Sequence, residues 1–171
     1  MVAALKWRIG VDTGQVMVAD LSRTLFSSSF ARESLFYEED LRKASWTRAD
    51  LDAIACGLRQ LQDRVQMNGR SLFLALLIPD KLTVYGPDLV DHSLRDLSVL
   101  GRIDLRGVNL VRADLDLESA VRAGQLDIYL PDDTHLGSTG QAIVGGAVAT
   151  ELRRRGVVRR SEGNQIRPPG R

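Results

Sequence analysis

Histidine is the side chain that exchanges a proton most readily near neutral pH, and this chain holds two, His92 and His135. His92 sits in a polar segment that reads as a surface helix, so its ring is expected to face water. His135 has acidic company. It lies in Leu130-Pro131-Asp132-Asp133-Thr134-His135-Leu136-Gly137. A carboxylate two or three residues before a histidine can accept a hydrogen bond from one ring nitrogen. That bond fixes the tautomer and leaves the other nitrogen free to take a proton from a nucleophile. The string is short and also arises by chance, so its meaning rests on the elements that hold it.

Those elements read as helices alternating with short extended runs. Gln15 to Leu21 reads as a strand, whereas Ser22 to Phe36 shows no clean period. Glu38, Glu39 and Asp40 form an acidic run that fits a solvated turn or helix start. From Thr47 to Asn68, Leu51, Ile54, Ala55, Leu58, Leu61 and Val65 recur at helical spacing and predict one apolar stripe. Thr47 is its expected cap, Asp50 suits the positive end, and Gly69 can end it. Ser71 to Ile78 is apolar without alternation, the pattern of a strand buried on both faces, and Pro79 stops it. Leu89 to Leu100 can form a helix, and Gly107 to Val111 a second strand. Leu117 to Ala123 reads as a short helix with Asp116 as cap and Gly124 as stop. Asp127 to Leu130 is expected to be extended. Thr139 to Arg155 is the terminal helix, with Ser138 and Gln141 at capping-box spacing. The histidine loop thus opens a helix. Helix followed by buried strand is half of a βαβ unit, which points to an α/β fold.

Composition narrows the rest. A formal net charge of +1 gives no global pull toward nucleic acid or anionic lipid. The basic cluster of Arg153, Arg154, Arg155, Arg159, Arg160, Arg167 and Arg171 suits the end of a helix and a solvated tail. The single cysteine, Cys56, rules out an intramolecular disulfide and reads as a near-core side chain. No segment is long and apolar enough to span a membrane. Met1 to Gly10 contains Lys6 and Arg8 and lacks the apolar run of a secretory signal. The carboxylates lack histidine companions, so neither a metal nor an organic cofactor is expected. The stretch beyond Gly156 is polar and contains Pro168 and Pro169, so 159–171 is expected to be a disordered tail behind a single domain at 1–158.

In this setting the Asp-Asp-Thr-His loop, following an extended segment and opening the last helix, resembles the closing motif of SGNH/GDSL hydrolases. Pro79-Asp80-Lys81-Leu82-Thr83-Val84-Tyr85, after a long helix and an apolar run, is similar to the Pro-Asp-Lys-x-x-x-Tyr signature of the alginate O-acetyltransferase-like branch. The resemblance runs from about Leu35 to Gly156. It implies a three-layer α/β/α sandwich with a mostly parallel, flavodoxin-like sheet, either complete or lacking its N-terminal edge. It also implies a serine ester hydrolase or O-acetyltransferase acting on an acylated carbohydrate. His135 would be the general base. The wider superfamily's Asp-x-x-His spacing selects Asp132 as its partner, and the acetyltransferase branch's Asp-x-His selects Asp133. Asp80, Lys81 and Tyr85 would either bind substrate or shape their loop.

The sequence departs from that pattern at the nucleophile. It contains no Gly-Asp-Ser. Val18-Ala19-Asp20-Leu21-Ser22 follows a plausible strand but brings the serine one residue late, which leaves Ser22 as the candidate. Ser27, Ser28 and Ser29 lack the Gly-Asp lead, and Asn68, Asn109 and Asn164 lack the Gly-x-Asn-Asp setting of an oxyanion hole. Two expectations follow. Either the serine-bearing segment lies outside this chain, or the domain binds carbohydrate or serves in a polysaccharide-modifying assembly without catalysis. The resemblance implies an extracytoplasmic setting, while the chain as written fits the cytoplasm.

Overall fold

The computed structural model describes residues 16–157. The expected tail at 159–171, the first ten residues and Asn164 lie outside them. β1 (Val16–Asp20) and β2 (Glu33–Tyr37) form an antiparallel pair, in register from Val16 opposite Tyr37 to Asp20 opposite Glu33. A loop folds back between them. It is closed by Leu21 N–H donating to Arg32 O at 2.8 Å and Leu25 N–H to Ala31 O at 2.9 Å, and it buries Leu25 and Phe26.

α1 (Glu39–Arg42) follows, so the acidic run does begin a helix. α2 (Arg48–Gln66) carries the expected cap. Thr47 accepts from Asp50 N–H, and Asp50 accepts from Thr47 N–H at 2.7 Å. Gly69, with φ +64°, turns the chain just beyond it. The apolar stripe is only partly used. Leu51 and Ala55 are buried, but Ile54 and Leu61 are exposed. The helix is instead tied down by polar bonds, with Gln62 donating to Gly107 O at 2.8 Å and accepting from Asn109 N–H at 2.6 Å. Cys56 is exposed rather than near-core, because it lies off the face that Leu51 and Ala55 bury.

β3 (Ala75–Leu76) and β4 (Leu110–Val111) pair in parallel, with Ala75 opposite Leu110. The run from Ser71 to Ile78 is therefore paired over two residues only, and Leu72 and Ile78 are exposed. Among the described residues it has a single neighbouring strand. α3 (Lys81–Tyr85) starts after Pro79, with the Asp80 side chain accepting from Thr83 N–H at 2.7 Å. The helix expected over Leu89 to Leu100 is a single turn of 3-10 helix, His92–Leu94. Asp91 draws both the backbone N–H and the hydroxyl of Ser93 into a local turn, and Asp96 takes a left-handed φ of 60° that stops propagation. α4 (Ala113–Arg122) begins earlier than its sequence suggests, so Asp116 lies inside it, and Gly124 at φ +79° ends it. α5 (Ser138–Arg154) is capped by Gly137 without a side-chain bond; Gln141 reaches back to Leu136 O instead of forming a capping box.

The core lies where β1, β2, α3 and α4 meet the Ile128–Tyr129 segment. Phe26, Tyr85 and Tyr129 pack edge to face there, with ring centroids 5.5 and 5.9 Å apart. Burying such a side chain contributes roughly 1.5–3 kcal/mol. The fold is thus α/β, with one antiparallel and one parallel two-stranded pair among the described residues.

Candidate active site

The histidine loop is a closed turn. Tyr129 bridges Leu136 in antiparallel fashion, Leu130 N–H donates to His135 O at 3.1 Å, and Gly137 N–H donates to Ile128 O at 2.9 Å. Within it, His135 Nδ1 lies 2.6 Å from Asp133 Oδ1, and His135 N–H donates to the same oxygen at 3.2 Å. The carboxylate that lies against the ring is that of Asp133. Burial works against the Asp133 carboxylate. Hydrogen bonds from the His135 ring and from the backbone N–H groups of His135 and Thr134 outweigh it and hold the pKa below the ordinary value. The His135 side chain is 81 % exposed, and its Nε2 has no hydrogen-bond partner among the described residues. An anchored Nδ1 beside an open Nε2 can accept a proton from a hydroxyl.

Under this loop lies Lys81, 1 % exposed. Its ammonium donates to the carbonyls of Leu130 at 2.5 Å, Leu35 at 2.7 Å, Asp133 at 2.8 Å and Pro131 at 3.0 Å. Burial pulls its pKa down to about 7, while Asp132, Asp133 and Asp40 oppose the shift. Tyr85, also buried, accepts from Tyr129 N–H at 3.0 Å, and the Tyr129 hydroxyl donates to Pro79 O. Burial raises the pKa of both phenols. Asp80 caps α3 and forms an ion pair with Lys43, whose ammonium also donates to the Thr83 hydroxyl at 2.9 Å. The family resemblance leaves Lys81 and Tyr85 either to bind substrate or to shape their loop. Both are buried with their polar atoms engaged inside the protein, so neither is open to a ligand here.

Ser22 stands just after β1. It is exposed, its N–H donates to Asp88 O at 2.7 Å, and Arg32 donates to its carbonyl at 2.6 Å. No hydrogen bond joins it to His135 among the described residues. Asn68 closes its own turn by accepting from Arg70 and Ser71. Asn109 is held by Gln62, Gln66 and Arg155. His92 is exposed, as its polar surroundings suggest. Among the described residues no group of three or more His, Cys, Asp or Glu could hold a metal ion, and no helix is long and apolar enough to cross a membrane.

Three residues that help build the site escaped the sequence reading. Gly137 and Gly140 let α5 start directly against the Asp127–Ile128 backbone. A Cβ at Gly137 would collide with the Asp127 carbonyl, and one at Gly140 with the Ile128 carbonyl. Both glycines could have been suspected from their place at the start of a helix. Lys43 had no signal, because its partner Asp80 is 37 residues away.

A pocket of about 320 Å³ opens beyond β3 and β4, lined by Leu77, Leu110 and Arg112, and His135 is not part of it. The site is therefore an open surface dyad on a firmly held loop. No curated protein and no solved structure matches the chain. The family profile described as the SGNH hydrolase-like domain of the acetyltransferase AlgX matches residues 32–167, a span that takes in β2, the Asp80–Tyr85 segment and the Asp133–His135 loop. The chain belongs to that SGNH hydrolase-like family.

Proposed function

We propose that this domain transfers or hydrolyses acyl groups on an acylated carbohydrate, with His135 as general base and Asp133 as its orienting carboxylate. The observation that carries this reading is the 2.6 Å contact of Asp133 with Nδ1 beneath a ring whose other nitrogen faces solvent. The hydroxyl that attacks the acyl carbon would give its proton to Nε2. The tetrahedral intermediate would then collapse with loss of the sugar alkoxide, which takes that proton back. Water or a second sugar hydroxyl would resolve the acyl-enzyme in the same way. Ser22 enters as the candidate nucleophile through its place after β1. Asp132 contributes negative charge to the loop and to Lys81. The parallel β3–β4 pair and the exposed Leu72 and Ile78 are what a longer parallel sheet in a three-layer sandwich would use. An acetyltransferase of this family would work with partner proteins of a polysaccharide-modifying assembly, outside the cytoplasm. It would need no cofactor.

A second reading is favoured by one observation, the lack of a serine hydroxyl on His135 among the described residues. In it the domain binds acylated carbohydrate or a partner protein and performs no chemistry. Hydrolysis of a small chromogenic acetate ester separates the two. Turnover by the wild type that is lost in His135→Ala supports the acyl-transfer reading. Equal loss in Ser22→Ala assigns the nucleophile to that serine, whereas full activity in Ser22→Ala removes it from the mechanism. Wild-type and His135→Ala rates that do not differ would leave the binding reading.

A further inference from the structure

We propose that Lys81 is the positioning residue of the Asp133–His135 pair. Its buried ammonium gathers the loop carbonyls that aim Asp133 at the imidazole. The inference rests on reading His135 as the general base, and it goes beyond that reading by giving the Pro-Asp-Lys segment a task without substrate contact.

Four carbonyl oxygens surround Lys81 Nζ at 2.5–3.0 Å, and three of them, from Leu130, Pro131 and Asp133, belong to the histidine loop. Carbonyl dipoles that converge on one point repel each other unless a cation lies between them. The faces of Phe26 and Phe36, with centroids 5.8 and 5.6 Å from Nζ, complete the enclosure. The loop is thus wrapped around a charge. Asp133 is gripped from both ends, its carbonyl by Lys81 and its carboxylate by His135. The fourth carbonyl, of Leu35, fixes this arrangement to β2, which also donates its Leu35 N–H to Pro131 O at 2.8 Å. A lysine serving only as general packing would have its acceptors scattered over the fold. Here three of the four lie within Leu130–Asp133, the stretch that leads into the catalytic pair.

The other charged groups facing this point are Asp132 and Asp133 on the loop and Asp40 on α1. The Lys43–Asp80 pair flanks Asp40, which feels both of its charges. The negative charges of these aspartates favour the charged form of the ammonium.

The test reads the tautomer of His135 directly, by two-bond proton–nitrogen correlation NMR of the imidazole, in the full chain. His92, the other histidine, is the internal control. In the wild type the neutral ring should carry its proton on Nδ1, facing Asp133. In Lys81→Gln, which keeps two N–H donors but no charge, the ring should revert to the Nε2–H form preferred by a free imidazole. His92 should not change. Ester turnover should fall by about tenfold to a hundredfold, mostly in kcat. Unchanged tautomer in a folded Lys81→Gln overturns the proposal. If the tautomer shifts but the wild type shows no turnover, the positioning role stands and the acyl-transfer reading fails. If turnover falls while the tautomer is unchanged, Lys81 acts in another way and the proposal fails. Should Lys81→Gln not fold, the wild type carries the test across a titration from about pH 6 to about pH 10. Release of the Nδ1–H tautomer in step with the Lys81 Cε shift supports the proposal. A tautomer that persists after Lys81 has lost its proton overturns it.

Discussion

Replacing Tyr85 with phenylalanine isolates one hydrogen bond beneath the site. The hydroxyl of Tyr85 accepts from Tyr129 N–H at 3.0 Å, and both residues are at most 2 % exposed. Phenylalanine keeps the ring and its edge-to-face packing on Phe26 and Tyr129, so little cavity is created. What changes is that a buried backbone N–H loses its acceptor where water cannot replace it. Such a group costs about 1–3 kcal/mol. A central figure of about 2 kcal/mol corresponds to a fall in Tm of about 4–8 °C for a chain of this size. Urea denaturation followed by circular dichroism should show a lower midpoint with an unchanged slope, since the exposed area on unfolding is the same. Because Tyr129 leads directly into the loop, amide exchange at residues 129–136 should also accelerate in the variant. A Tyr85→Phe protein within about 0.5 kcal/mol of the wild type, with unchanged exchange, would refute the claim that this tyrosine supports the loop.

Two further predictions test the surroundings. Gly140→Ala should destabilise the fold by about 1–3 kcal/mol, because the new methyl meets the Ile128 carbonyl and the Leu136 side chain. Gly146→Ala, with open space at its Cβ on the same helix, should instead gain about 0.5–1 kcal/mol, and paired urea melts would show the opposite signs. Burial and the neighbouring Asp80 push the pKa of Asp40 up to about 6. The folded state therefore keeps a proton that the unfolded chain sheds near about pH 4, and the stability this gives is lost as pH rises through about 6. Asp40→Asn should match the wild type at about pH 4 and exceed it by about 1 kcal/mol at about pH 8, after discounting for solvent screening.

The parts of this molecule that sequence reading reached are those whose partners are near in the chain. Thr47 and Asp50 meet across one helical turn, and both appear in the expected cap. Asp133 and His135 are two residues apart, so spacing could propose the contact. The contact with Asp133 depends on the turn geometry that the Tyr129–Leu136 bridge imposes. Lys81 was legible as a motif residue and illegible in role. Its acceptors are carbonyls 46–52 residues away, and a carbonyl leaves no mark in the sequence. The apolar run from Ser71 to Ile78 suggested a strand buried on both faces, but only Ala75 of it is buried, because how many strands and helices cover a run is not written in the run itself. The segment from Leu89 to Leu100 failed for a local reason, the competition of Asp91 and Ser93 for the backbone.

The central claim is that the Asp133–His135 pair drives acyl transfer. Its most direct test is acetate release from an O-acetylated polysaccharide by the wild type, Asp133→Asn and Asp132→Asn, measured side by side. Asp133→Asn should reduce the rate by about 10²–10⁴-fold, because the ring loses the partner that sets its tautomer, while Asp132→Asn should fall far less. Equal rates for the wild type and Asp133→Asn, or a larger loss in Asp132→Asn, would contradict the account.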